Sequence, residues 1–147
     1  MNDLTQRFLE QMRAKGLDER MELPPPFVKY TEGEYVAYEP GRSARMVFPI
    51  KPDYNNPFGI TFGGFYGMFF DHAFGPFSGL ETGQPTTSLD LNITFLKPLS
   101  AADGQVAVDV EIVSQTKTYL LLQGRAYNPA GQLVATAASR MLIMNRP

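Results

Sequence analysis

The chain has 147 residues, 13 Lys and Arg against 15 Asp and Glu, one histidine and no cysteine. That length suits one domain with its own core, expected over residues 1–147. The composition excludes disulfides, Cys-based metal sites and thiolate catalysis, leaves too few histidines for a two-histidine zinc motif, and shows no basic patch for nucleic acid. No apolar run reaches the roughly 20 residues of a membrane span, and the polar stretch Met1–Arg20 lacks the core of a signal peptide. A soluble, cytoplasmic protein with no metal and no membrane association is expected.

Leu4, Phe8, Leu9 and Met12 recur at helical spacing between Asn2 or Asp3 as a cap and Gly16 as a stop, which predicts an N-terminal helix. The run Pro24-Pro25-Pro26 ends anything helical. Two alternating segments, Glu34–Tyr38 and Ala44–Ile50, flank the turn signal Pro40-Gly41. A long apolar helix is then expected from near Gly63, closed by Gly75-Pro76 and the Gly79 region. Between Phe65 and Phe77 its one charged residue is Asp71. A helix apolar on every side is expected to be buried on every side. A buried ionised carboxylate costs several kcal/mol, roughly, unless it is paired or used. After Gln84 the period changes to two. Thr86–Leu96, Gln105–Val113, Thr118–Tyr127 and Leu133–Met144 read as strands joined by short turns such as Asp103-Gly104. This order predicts an α+β fold, with an antiparallel sheet of about six strands curled around one central helix.

The stretch Asn56 to Gly64 reads as a loop feeding that helix, with Thr61 as a plausible cap. The first N–H groups of a helix lack intrahelical partners, and Gly63 and Gly64 carry no side chain to keep a ligand off them. With the helix dipole they offer a site for an oxygen bearing negative charge. Asp71 would supply a base or nucleophile for attack on a carbonyl polarised there. Gly63 and Asp71 are eight residues apart, roughly 12 Å along one helix, so one carbonyl cannot touch both in a single chain. Cooperation between them requires two subunits, most simply related by a two-fold axis. Plainer uses exist for each residue. Asp71 could cap another element, Asn56 could close a turn before Pro57, the glycines could permit close packing, and His72 reads best as a packed or interface histidine.

The pattern Asn56-x5-Phe62-Gly63-Gly64-x6-Asp71, followed by the strand Thr87-Ser88-Leu89-Asp90-Leu91-Asn92-Ile93-Thr94-Phe95-Leu96-Lys97-Pro98, resembles the hotdog-fold acyl-CoA thioesterases, in particular their phenylacetyl-CoA thioesterase-like branch. The resemblance covers about residues 45–144. It implies a hotdog fold and hydrolysis of a fatty or aromatic acyl-CoA, with coenzyme A as part of the substrate and no separate cofactor. It implies that Asp71 activates water or attacks the thioester, while the Gly63 N–H of the other subunit binds the thioester oxygen. It matches Asn56 to a residue that positions the nucleophile and Ser88 to a strand Ser or Thr near the reacting centre. Where the family has a histidine before the glycine pair, this chain has Phe62. Phe62, Gly64, Phe65 and Tyr66 are the candidate substrate contacts, with Phe69 a further candidate for an apolar acyl pocket. Lys97, Lys117 and Arg125 are candidates for phosphate on charge alone. A homodimer is expected, with hotdog dimers often pairing again into tetramers. The alternative is a non-catalytic acyl-CoA or lipid-binding protein on the same fold, motivated by Phe62.

Overall fold

The computed structural model describes residues 1–145, so the expected limits of 1–147 include two positions outside the described residues. Helix α1 (Asp3–Ala14) starts where Asn2 Oδ1 accepts the Thr5 N–H at 2.8 Å, the cap expected from the sequence. Its buried Phe8 stacks on Tyr35, with ring centroids 4.0 Å apart. After the prolines comes a short α2 (Phe27–Thr31), then the hairpin β1 (Glu34–Glu39) and β2 (Ser43–Pro49). The long α3 (Gly63–Thr82) follows, and then β3 (Thr86–Ser88), β4 (Asn92–Phe95), β5 (Gln105–Gln115), β6 (Tyr119–Tyr127) and β7 (Leu133–Ile143).

The strands form one antiparallel sheet in the order β1-β2-β5-β6-β7-β3, with β4 also paired to β7. Alternation sends Met46, Phe48, Val106, Val108, Leu120 and Leu122 to one face, where they are at most 1% exposed. Phe69, Phe70, Ala73, Phe74 and Phe77 of α3 meet them, equally buried. Burying each large side chain contributes about 1.5–3 kcal/mol. The helix comes so close to β6 that a Cβ at Gly124 would lie 2.7 Å from the Phe70 ring and 2.9 Å from Phe74. The sheet therefore wraps the helix in the hotdog arrangement.

Three expectations are corrected. The strand Thr86–Leu96 is two strands, which makes seven in the sheet. Ser88 pairs with Met141 and Asn92 with Ala138, so four steps on one side oppose three on the other, a bulge. Asp90 fills the gap, its Oδ1 accepting the Arg140 N–H at 2.7 Å and its carbonyl accepting Ser139 Oγ at 2.8 Å. Second, Gly75-Pro76 does not close α3, which ends at Gly83 with φ +66°. Proline there removes a helical hydrogen bond, but nearby carbonyls find side-chain donors: Tyr35 Oη donates to Ala73 O and Ser78 Oγ to Gly75 O, each at 2.8 Å. Third, α3 is not buried on every side within the chain. Asp71, Phe62 and Gly64 are exposed, and Gly67 and Met68 are half-buried. They mark the stripe turned away from the sheet.

Candidate active site

The loop before α3 is held tightly by its own backbone. Asn56 donates its N–H to Ile60 O at 2.7 Å, and its side-chain Oδ1 accepts the N–H groups of Phe58 and Ile60 at 2.9 and 3.3 Å. This side chain acts as an Asx turn, and Gly59 supplies the left-handed residue with φ +78°. Thr61 N–H donates to Leu99 O and Phe62 N–H to Tyr54 O, which anchors the loop to both flanks. The turn use of Asn56 is thus directly visible, with its amide oxygen committed to the N–H groups of residues 58 and 60.

The helix cap is Phe62, with no side-chain hydrogen bond. This corrects the expectation of Thr61, whose Oγ1 is buried without a hydrogen-bond partner among the described residues. Phe62 has an extended backbone (φ −61°, ψ 137°) but no oxygen to offer the helix start. Phe65 N–H donates to Phe62 O at 3.0 Å, and among the described residues the N–H groups of Gly63 and Gly64 are left for another acceptor. Gly63 opens onto a cavity of about 400 Å³ shared with Thr61, Tyr66, Phe95 and Lys97. Tyr66 is buried there and donates its hydroxyl to Lys97 O at 3.2 Å, and burial raises its phenol above the ordinary value. Phe65 stacks on Tyr54 at 4.2 Å, whereas the Phe62 side chain is 56% exposed. Arg125 is engaged elsewhere, paired with Glu111 at 3.6 Å.

Two turns along, Asp71 Oδ1 accepts a 2.7 Å hydrogen bond from Ser88 Oγ. Ser88 is the last residue of β3, beside the bulge that re-aims the strand, so the β3–β4 break and the position of this hydroxyl have one cause. Of the residues proposed from sequence, Asp71 and Ser88 are brought together, while Gly63 and Asp71 remain two turns apart on one helix. Asp71 also borders a small cavity of about 110 Å³ with Phe27, Met68 and His72.

His72, the next residue on the helix, shares the edge of that small cavity but turns its ring inward to the Thr31 side. It is 4% exposed, and its Nδ1 lies 2.8 Å from Thr31 Oγ1. Thr31 Oγ1 also accepts the Gly33 N–H at 3.3 Å, and with one proton to give and a second lone pair it can pair with either tautomer of the imidazole. Burial pushes the imidazole down to about 4, which keeps it neutral near pH 7. The Phe27 and His72 rings meet edge to face at 4.7 Å. Phe27 and Met68 were not anticipated as neighbours of Asp71. A phenylalanine three residues past Pro24 carries no local signal that it will return to the central helix. Among the described residues, no group of three or more His, Cys, Asp or Glu could hold a metal ion, and no helix is long and apolar enough to cross a membrane.

Residues 58–135 match the model of the Thioesterase superfamily, more than half of the sequence, and the chain belongs to that superfamily as a thioester hydrolase. Solved structures agree in fold. A phenylacetic acid degradation-related protein of Ralstonia eutropha is 25% identical, with a TM-score of 0.74 over 88% of this chain and 98% of its own. The PaaI protein from the phenylacetic acid degradation operon of Escherichia coli is 14% identical, with a TM-score of 0.78 over 94% of this chain and 96% of its own. A Streptococcus mutans protein solved with bound acetyl CoA is 23% identical, with a TM-score of 0.71 over 78% of this chain and 90% of its own. No curated protein matches the sequence.

Proposed function

We propose that this chain is an acyl-CoA thioesterase whose active sites form across a two-fold homodimer. The observation that carries the proposal is the pairing of Asp71 with Ser88 on the open stripe of α3, together with an uncapped helix start at Gly63 on the same helix. Each half is ready for a thioester, and roughly 12 Å of helix separates them within one chain. Two antiparallel α3 helices bring Asp71 of one protomer to Gly63 of its partner. The edge strand supports this pairing. Among the described residues β4 pairs with β7 alone, and Phe95 at its end and Leu96 just after it are 55% and 51% exposed, an apolar edge that a second copy would cover.

In the reaction, the Gly63 N–H donates to the thioester carbonyl oxygen and favours the charge that develops on it. The Asp71 carboxylate takes a proton from water as that water adds to the carbonyl carbon. The tetrahedral intermediate collapses with cleavage of the C–S bond. The proton returns from Asp71 to the departing sulfur, giving the free acid and coenzyme A thiol. Direct attack by Asp71, through an anhydride that water then hydrolyses, uses the same geometry. Ser88 holds the carboxylate in one orientation, and Asn56 holds the loop that presents Gly63. Coenzyme A enters as part of the substrate, so the reaction as written needs no metal and no further cofactor. A cytoplasmic location, and a dimer that pairs again, belong to the same reading.

Phe62, standing where the family has histidine, favours a second reading, a protein that binds acyl-CoA without turning it over. Free-thiol release from short, long and aromatic acyl-CoAs, with wild type and Asp71→Asn side by side, separates the two. Turnover that collapses in Asp71→Asn supports the thioesterase. Binding without turnover on every substrate supports the binder.

A further inference from the structure

α1, the segment 21–28 and α3 enclose a cavity of about 320 Å³, within the range of small-molecule sites. We infer that this cavity receives the acyl group of the substrate, an inference that rests on the thioesterase reading. The first argument is continuity. Phe27 and His72 line both this cavity and the small one at Asp71, so a single pair of rings separates the carboxylate from the larger space. Phe27 is 43% exposed and sits on a five-residue helix, with one edge contact to His72 where the core phenylalanines are enclosed on every side. A rotation of this ring joins the two spaces.

The second argument is chemistry. Met12, Leu23 and Val28 form the roof, and Glu22 is the one carboxylate on the lining, with no Lys or Arg. Such a space rejects the phosphates of coenzyme A and accepts hydrocarbon. His72 suits the mouth because burial keeps it uncharged.

The third argument is shape. His72, Gly75, Pro76 and Gly79 fall at i, i+3, i+4 and i+7 and form the floor along one face of α3. A Cβ at Gly75 would meet no atom within 4 Å, so the missing side chain is what opens the middle of the cavity. At Gly79 a Cβ would already be 3.4 Å from Met12 Cε, which marks the far end. From His72 to Gly79 the floor runs roughly 10 Å. The acyl group that fits is larger than acetyl, a straight alkyl chain of medium length or an aryl ring on a short tether.

The test compares kcat/KM on acetyl-, hexanoyl- and decanoyl-CoA for wild type, Gly75→Ala and Gly75→Leu, with calorimetric binding of the non-hydrolysable thioether S-decyl-coenzyme A to each. Each methylene that enters the cavity adds about four-fold in the wild type. Gly75→Leu occupies the space of about four methylenes and lowers the decanoyl-to-acetyl ratio by about 250-fold, while Gly75→Ala lowers it by about four-fold. Alanine is favoured over glycine inside a helix, so the milder variant folds even if leucine disturbs the packing. Turnover with the same chain-length ratio in all three proteins overturns the inference and leaves the thioesterase reading standing. Absence of turnover overturns the thioesterase reading. In that case, S-decyl-coenzyme A binding that weakens in Gly75→Leu still supports the cavity, and equal binding in wild type and both variants overturns it.

Discussion

If each active site is built from Asp71 of one protomer and Gly63 of its partner, two inactive variants should restore activity when they share a dimer. The first variant is Asp71→Asn. Asparagine is isosteric, and its amide oxygen can still accept from Ser88 Oγ. Stability should therefore change by less than about 0.5 kcal/mol, while loss of the positioned base costs about 10²–10⁴ in kcat. The second is Gly63→Pro, which deletes a single N–H. Gly63 is the first residue of α3, where proline is well tolerated, and Phe62 before it already has the extended conformation that a following proline requires. The nearest obstacle is the Phe95 ring, 3.3 Å from the new Cβ, so that ring has only a few tenths of an ångström to give. Losing one oxyanion donor costs about 10²–10³ in kcat. After an equimolar mixture is unfolded and refolded, random pairing makes half the dimers mixed. Each mixed dimer carries one site with both native groups and one with neither, so about a quarter of wild-type thiol release should return from parents that each retain about 1% or less. Two different affinity tags, purified in series, isolate the mixed dimers. Mixed dimers no more active than the sum of their parents would refute the shared site.

Three further predictions address the groups around the site. Ser88→Ala should lower kcat by about ten-fold, the low end for a hydrogen bond to a charged group, with a thermal midpoint close to wild type and recovery in Ser88→Thr; an unchanged kcat would remove Ser88 from the site. His72 is held at about 4 in the fold against about 6.5 when unfolded, so the unfolded chain binds the extra proton between those values. The stability from keeping it neutral is fully present above pH 6.5 and is lost as pH falls toward 4, by up to about 3 kcal/mol, and urea unfolding at several pH values should show a slope that His72→Asn flattens. Gly124→Ala should destabilise by about 1–3 kcal/mol in the same assay, because its Cβ would sit 2.7 Å from the fully buried Phe70 ring; a wild-type midpoint would mean that α3 stands further from β6.

The sheet was legible because its signals are local. A period of two and turn residues such as Asp103-Gly104 depend on neighbours within a few positions, and the strands appear where that pattern runs. The errors fall where a distant element decides. Nothing inside Thr86–Leu96 says that its pairing with β7 will slip by one residue, since Asp90 completes the bulge only by accepting from Arg140 across the ladder. Pro76 looked like a terminator because proline removes a helical bond; Tyr35, 41 positions earlier, supplies a donor to an adjacent carbonyl. Thr61 is a good cap by residue type, but the loop is pinned to Tyr54 O and Leu99 O and turns its hydroxyl inward.

Asp71 carries the more instructive miss. The apolar sequence around it demands cover on every side, and the fold supplies that cover on the sheet side only, leaving Asp71 exposed beside Gly64, Gly67 and Met68. A sequence records that a surface needs to be covered, but not whether the covering atoms come from the same chain. The sheet accounts for the phenylalanines at 69, 70, 74 and 77, each at most 1% exposed. What remains open is the stripe with the carboxylate, the uncapped helix start and the apolar edge of β4. In the shared-site reading, one unfilled requirement at the level of the chain becomes the contact at the level of the dimer, and the catalytic groups sit on it because neither half can act alone.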